Sequence, residues 1–336
     1  MQTRLLTLLV ACIALAACSA RPDPLPSWRD GPSKRAILEF VERTTDAKGD
    51  AFIPPEERIA VLDNDGTLWA EQPAYFHLIY EIDRLVGLAE PAPAWASDEP
   101  YASILAAARS GGRPAALAAT LKGGRDAIAK VVAVTHAGLT PDEFAVEAKR
   151  WLATARHPER GERLFDLAYR PMLEVLDLLR ANGFRPHIVS GGGIDFVRAL
   201  ADDRYGIPPE RVIGSTGGLR LERQGDLVSL VKTPEIVFID DGDGKPIAIE
   251  RTIGRRPVIA FGNSDGDLAM LEWTSSGSGP SLCVLIHHTD AVREWAYDRG
   301  SPVGRLDLGL DEAGRRGWTV VDMARDWDTV FVPAAR

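Results

Sequence analysis

The sequence predicts an α/β fold, a parallel sheet between helical layers interrupted by a long helical insert. Three observations predict it. Short apolar runs, Ile59-Ala60-Val61-Leu62, Ile188-Val189 and Val258-Ile259-Ala260-Phe261, each end in small or acidic residues. That is the pattern of strands buried on both faces by crossover helices, with ligand groups at their carboxyl ends. Between the first two runs the apolar residues fall at helical rather than alternating spacing. The composition, 45% hydrophobic and 26% charged, is that of a globular protein.

Taken in order, the chain begins with Arg4, an apolar stretch from Leu5 to Leu15, and Leu15-Ala16-Ala17-Cys18. The stretch is too short for a relaxed membrane span and fits a secretory signal over residues 1–18. Its end resembles the lipobox of bacterial lipoproteins, which implies lipidation at Cys18. The alternative is an ordinary signal cut after Ala17 or Ala20. Either reading puts the mature protein outside the cytoplasm, in the bacterial cell envelope. Without Cys12 and Cys18, only Cys283 remains, in the strand-like Leu282-Cys283-Val284-Leu285-Ile286. It is expected to be an inert core thiol, with no intramolecular disulfide.

Ser19 to Ser33 contains Pro22, Pro24, Pro26 and Pro32 and reads as an extended tether. Ile37, Leu38 and Val41 predict a lead-in helix from Lys34 to Thr44. The next landmark is Asp63-Asn64-Asp65-Gly66-Thr67, directly after the first strand. If the backbone stays extended, both carboxylates share one side. One can attack as a nucleophile while the other moves a proton, and together they can help hold a hard cation. A strand ending in an Asx turn, with Gly66 as the bend, explains the same residues.

Helical patterns follow through Tyr75, Ile79, Ile82 and Val86, through the alanine-rich Ala92 to Thr120, and from Leu139 to Thr154 with Thr140-Pro141-Asp142-Glu143 as its start. Another runs from Leu164 to Leu179. Strands resume with Arg185 to Ser190, which meets Gly191-Gly192-Gly193 and a helix from Ile194. Such a turn offers N–H groups and a hydroxyl to an anion, or is only a glycine turn capped by Ser190. Arg211 to Ser215 reads as a strand, and Leu219 to Glu222 with Leu227 to Val231 as a hairpin. The last strand ends in Gly262-Asn263-Ser264-Asp265-Gly266-Asp267, oxygen donors suited to Mg²⁺ or a purely structural acidic loop. The net charge of −9 argues against broad nucleic-acid binding.

In chain order, Asp-x-Asp-Gly-Thr, Ser-Gly-Gly, a lysine and Gly-Asn-Ser-x-x-Asp resemble the haloacid dehalogenase superfamily, specifically its phosphoserine-phosphatase-like phosphohydrolases, from Ile59 to Ile286. The resemblance implies a Rossmann-like three-layer core over residues 34–69 and 170–336, with a helical cap over 70–169. It implies Asp63 as nucleophile, Asp65 as general acid/base, and Ser190, Gly191 and Thr67 around the phosphate. It also implies Mg²⁺ held by Asp63, the carbonyl of Asp65, Asn263 and Asp267. Lys245 is the expected family lysine and Lys232 the alternative. Asn263 departs from the family, which commonly has Asp there, so Asp267 or Asp265 is expected to bring the charge. The expected activity is Mg²⁺-dependent hydrolysis of a small phosphorylated metabolite through an aspartyl-phosphate. Membrane contact is expected only through the lipid. A metal-free dehalogenase, or a non-catalytic binding lipoprotein on the same scaffold, are the other readings.

Overall fold

The computed structural model describes residues 22–332; the signal sequence and Cys18 lie outside them. Helix α1 (Pro32–Thr45) leads into strand β1 (Ile59–Leu62). Helices α2 (Phe76–Leu88), α3 (Tyr101–Lys122, broken at Gly111 and Gly112), α4 (Gly124–His136) and α5 (Pro141–Thr154) form the insert. The chain returns through α6 (Arg170–Ala181), β2 (Arg185–Gly193) and α7 (Ile194–Tyr205). Strands β3 (Val212–Gln224) and β4 (Leu227–Phe238) make the hairpin, followed by α8 (Gly244–Ile253), β5 (Ile259–Gly262), α9 (Leu268–Ser275) and β6 (Leu282–Thr289). Strand β7 (Ala296–Tyr297), α10 (Leu308–Arg316), β8 (Thr319–Asp322) and α11 (Met323–Asp326) complete it.

The sheet runs β4-β3-β2-β1-β5-β6-β7, with β8 also beside β6. β1 sits at the centre, parallel to β2 and β5, with Leu62 opposite Ile188 and Phe261. All four of its residues are fully buried. Side chains alternate across a strand, so Ala60 and Leu62 enter one apolar layer while Ile59 and Val61 enter the other. This is the three-layer α/β core expected. The parallel β1, β2 and β5 end together at Asp63, Ser190 to Gly193 and Asn263, so the three polar clusters converge at one edge.

Two segments differ from expectation. The described part of the supposed tether is packed: Leu25 and Trp28 are buried, and Trp28 meets Trp327 edge-on at 5.8 Å. Ser27 donates through N and Oγ to Glu174, at 2.9 and 2.7 Å. The prolines prevent regular structure there, but one leucine and one tryptophan are enough apolar area to dock the segment. The helix expected from Leu164 is split into a turn over Leu164–Asp166 and α6, because Pro171 is tolerated only in a helix's first turn. The residues after Ile286, beyond the motif resemblance but inside the expected core span, supply β8 and extend the sheet.

The insert folds over the strand ends with the hairpin as a side wall: Lys232 N–H donates to the Leu139 carbonyl at 2.8 Å, and Gly138 N–H to the Lys232 carbonyl at 2.9 Å. The expected start of α5 is a reciprocal cap between Thr140 and Glu143. Cys283 lies buried in β6, where burial pushes its thiol up to about 12.

Candidate active site

The site begins where β1 stops. Asp63 N–H still donates to the Phe261 carbonyl at 3.0 Å, continuing the parallel pairing. The chain then turns, with the Asn64 carbonyl accepting from Leu68 N–H at 2.8 Å. Gly66 has φ +77°, and a Cβ there would stand 2.0 Å from Asn263 Nδ2, so only glycine fits. Asp63 and Asp65 both face a cavity of about 470 Å³ between core and insert.

Lys245, at the start of α8, is buried. Its Nζ donates to Asp63 Oδ1 and Asp267 Oδ1, each at 2.6 Å, and to the Val189 carbonyl at 2.8 Å. Burial alone would lower this ammonium, but Asp267, Asp63 and Asp240 around it hold it above its usual range. Burial and the Asp267 carboxylate push Asp63 upward, against the pull of Lys245. Lys232, by contrast, pairs with Asp195 and lies over the Phe144 ring at 5.1 Å, away from Asp63.

Asp65 accepts from the Trp69 indole N–H through Oδ1 at 2.8 Å. Burial raises its carboxyl and the indole contact opposes the rise. The β2 turn lies against it: a side chain at Gly192 would reach 3.7 Å from Asp65 Oδ2. Gly191, Gly192 and Gly193 line the cavity. Ser190 does not; its buried Oγ accepts the Gly192 N–H at 3.1 Å and shapes the turn from behind.

Two other expected groups also sit one layer back. Thr67 is buried and donates to Asn263 Oδ1 at 3.1 Å. Both Asp267 oxygens are occupied: Oδ1 by Lys245, Oδ2 by the Asn263 and Ser264 N–H groups at 2.9 and 3.0 Å. Asp265 accepts the Asp307 and Gly309 N–H groups, both at 2.9 Å, and so anchors α10. Asp267 has no free oxygen; Asp265 keeps Oδ2 without a hydrogen bond, 3.4 Å from Arg305 Nε, but neither residue lines the cavity.

The carboxyl that reaches the cavity beside Asn263 is Glu71, which the motif reading missed. It is buried, and its Oε1 accepts from Asn263 Nδ2 at 2.7 Å and Tyr297 OH at 2.8 Å. Its other oxygen takes no hydrogen bond among the described residues, and Glu71 lines the cavity. Burial raises its carboxyl well above the usual range, against the Tyr297 hydroxyl. Asp63, Asp65, Asn263 and Glu71 are a hard oxygen set of the kind Mg²⁺ takes.

A second cluster lies on the insert. His77 and Glu81, four apart on α2, meet His136 from the end of α4. Glu81 Oε1 is 2.7 Å from His136 Nε2 and 2.8 Å from His77 Nε2, the latter without the alignment of a directed hydrogen bond. Thr135 donates to its other oxygen. Burial alone would raise Glu81, but His136 and His77 hold it well below the usual carboxylate range. The spacing suits a metal, yet Gly193 N–H donates to His77 Nδ1 at 3.2 Å, whereas a metal-bound imidazole donates its outer N–H. The trio therefore reads as one shared carboxylate between two imidazoles. A glutamate four residues from a histidine on an otherwise apolar helix face was its only trace in the sequence.

The sequence profile of haloacid dehalogenase-like hydrolases matches residues 60–272. No curated protein matches the chain. Among solved structures, a functionally unknown protein from Anaerococcus prevotii is similar at 16% identity and TM-score 0.53, over 86% of this chain and 91% of that one. A protein of unknown function from Bordetella pertussis aligns at 15% identity and TM-score 0.47, over 80% and 99%. A phosphoserine phosphohydrolase-like protein from Francisella tularensis aligns at 18% and 0.35, over 68% and 87%. With the profile spanning both acidic strand ends and the lysine between them, the chain belongs to the haloacid dehalogenase-like hydrolases.

Proposed function

We propose that this hydrolase is a Mg²⁺-dependent phosphomonoesterase acting through an aspartyl-phosphate. The observation that carries the reading is Asp63, buried at a strand end, with Oδ1 fixed by Lys245 and Oδ2 free of any hydrogen bond among the described residues. Phosphoryl transfer asks chiefly for positioning and charge neutralisation. Asp63 Oδ2 attacks phosphorus and the ester P–O bond breaks. Asp65, whose burial favours the protonated form, gives its proton to the departing alkoxide. Asp65 then takes a proton from water as that water attacks the aspartyl-phosphate, returning Asp63 and releasing phosphate. The glycine turn lines the cavity where the phosphoryl oxygens come to rest; its Gly192 and Gly193 N–H groups are already given to Ser190 Oγ and His77 Nδ1, which leaves Gly191 as the expected phosphate contact.

Asp63, the Asp65 main-chain carbonyl and Asn263 would hold Mg²⁺, with Glu71 adding the negative charge that Asn263 lacks. When bound, the ion neutralises charge on the transferring phosphoryl group. Replacing Glu71 by Gln is expected to weaken Mn²⁺ binding roughly 10–100-fold, read as free Mn²⁺ by electron paramagnetic resonance. Adding Asn263→Asp should restore it. An unchanged affinity in Glu71→Gln would remove Glu71 from the metal site.

The deciding assay is hydrolysis of p-nitrophenyl phosphate with Mg²⁺ and with chelator. Full activity in chelator would point to metal-free chemistry instead. Asp65→Asn is expected to slow turnover by ~10²–10⁴-fold, with the loss smaller for esters of more acidic alcohols, which need less help from a proton. The insert roofing the cavity favours small phosphomonoesters over phosphoproteins. On the leader sequence alone, the same proposal places the enzyme at the cell envelope, lipid-anchored at Cys18.

A further inference from the structure

The cavity has two unlike ends. The core end carries Asp63, Asp65, Glu71 and the glycine turn. The insert end is formed by Leu78 of α2, Leu121 of α3, Ile128 and Val132 of α4, Ile236 of β4 and Ile239 just after it. Ile128 and Val132, one helical turn apart, point the same way. Ile239 is 51% exposed, a large apolar side chain left facing the opening. The charged groups at this end already have partners. Arg125, whose side chain stays mostly exposed, pairs with Asp241; Asp195, which lines the cavity, pairs with Lys232; and His77 and His136 share Glu81. An ammonium or carboxylate on a substrate would be desolvated here without a free counter-charge, which is costly. Apolar surface facing a preformed cavity is the usual mark of an apolar ligand.

We infer that the leaving group of the substrate is apolar and uncharged, an alkyl or arylalkyl alcohol rather than an amino acid, sugar or choline. This rests on the phosphomonoesterase reading of the core end. At about 470 Å³ the cavity has room for a phosphate and a body of that kind.

The test is a series of n-alkyl phosphates from propyl to hexyl, compared with glycerol 3-phosphate, O-phosphoserine and phosphocholine. All are esters of aliphatic alcohols, which limits differences in intrinsic reactivity. We expect kcat/KM to rise about fourfold per methylene. Hexyl phosphate should exceed every polar ester by about tenfold or more. Ile128→Asp should flatten the series. Val132→Thr, nearly equal in volume, should lower the slope and guards against a variant that fails to fold. Binding of hexyl- and propylphosphonate, measured by calorimetry, reads the same subsite without turnover. A protein that prefers hexylphosphonate but hydrolyses no ester keeps the apolar subsite and loses the phosphatase reading. A flat alkyl series in an active enzyme, or preference for O-phosphoserine or phosphocholine, overturns the subsite alone.

Discussion

Asp63→Asn is expected to abolish turnover while leaving the protein folded. Losing a covalent nucleophile can cost on the order of 10⁶ in kcat, and no other carboxylate stands in the same place. Asp65 is held by Trp69, Glu71 by Asn263 and Tyr297, and Asp267 faces Lys245 from behind. The fold survives because asparagine is nearly isosteric and its amide oxygen still accepts from Lys245. The lysine also keeps Asp267 and the Val189 carbonyl. Thermal unfolding of the purified variant should match wild type while phosphate release falls to background. Undiminished release would refute the nucleophile.

Lys245→Met is expected to have the largest effect on stability. The ammonium stands between two buried carboxylates, and removing one partner of a buried ion pair costs about 3–5 kcal/mol. Without it nothing offsets the burial and mutual repulsion of the two carboxylates, and Asp63, already held above its usual range, rises further. Their penalty is thus absent below the unfolded carboxylate range and grows as pH rises through it. The deficit in melting temperature should be large at pH 7 and much smaller near pH 4. Activity should vanish at both. A deficit that does not change with pH would mean the lysine contributes packing rather than charge. Adding Asp63→Asn to the variant should recover part of the stability at pH 7, since one of the two stranded charges is then gone.

What the sequence disclosed was local. The strand ends were legible because an apolar run followed by Asp63 or Asn263 is a contiguous signal, and the cap of α5 because Thr140 and Glu143 stand three apart. The division of labour among the acids was not. Asp267 looks like a ligand beside Asn263, yet it serves Lys245, which lies 22 residues away along the chain. Glu71 looks like a surface acid until β5 and the segment at Tyr297 close around it. Trp28 sat in a proline-rich stretch whose partner, Trp327, is near the other end of the chain. Each depends on contacts that only the closed sheet creates.

The seam between the insert and the hairpin bears on turnover. Two main-chain hydrogen bonds join Lys232 to Gly138 and Leu139, and the Lys232 side chain pairs with Asp195 at the front of α7. The roof over the cavity is thus stitched to the edge of the sheet and does not hang from its two covalent ends alone. If product leaves by the roof lifting, either those bonds break together or the hairpin travels with the helices. In both cases release, rather than bond cleavage, becomes the candidate slow step. The rate at which the enzyme breathes is then set by β4, a strand that touches none of the reacting atoms.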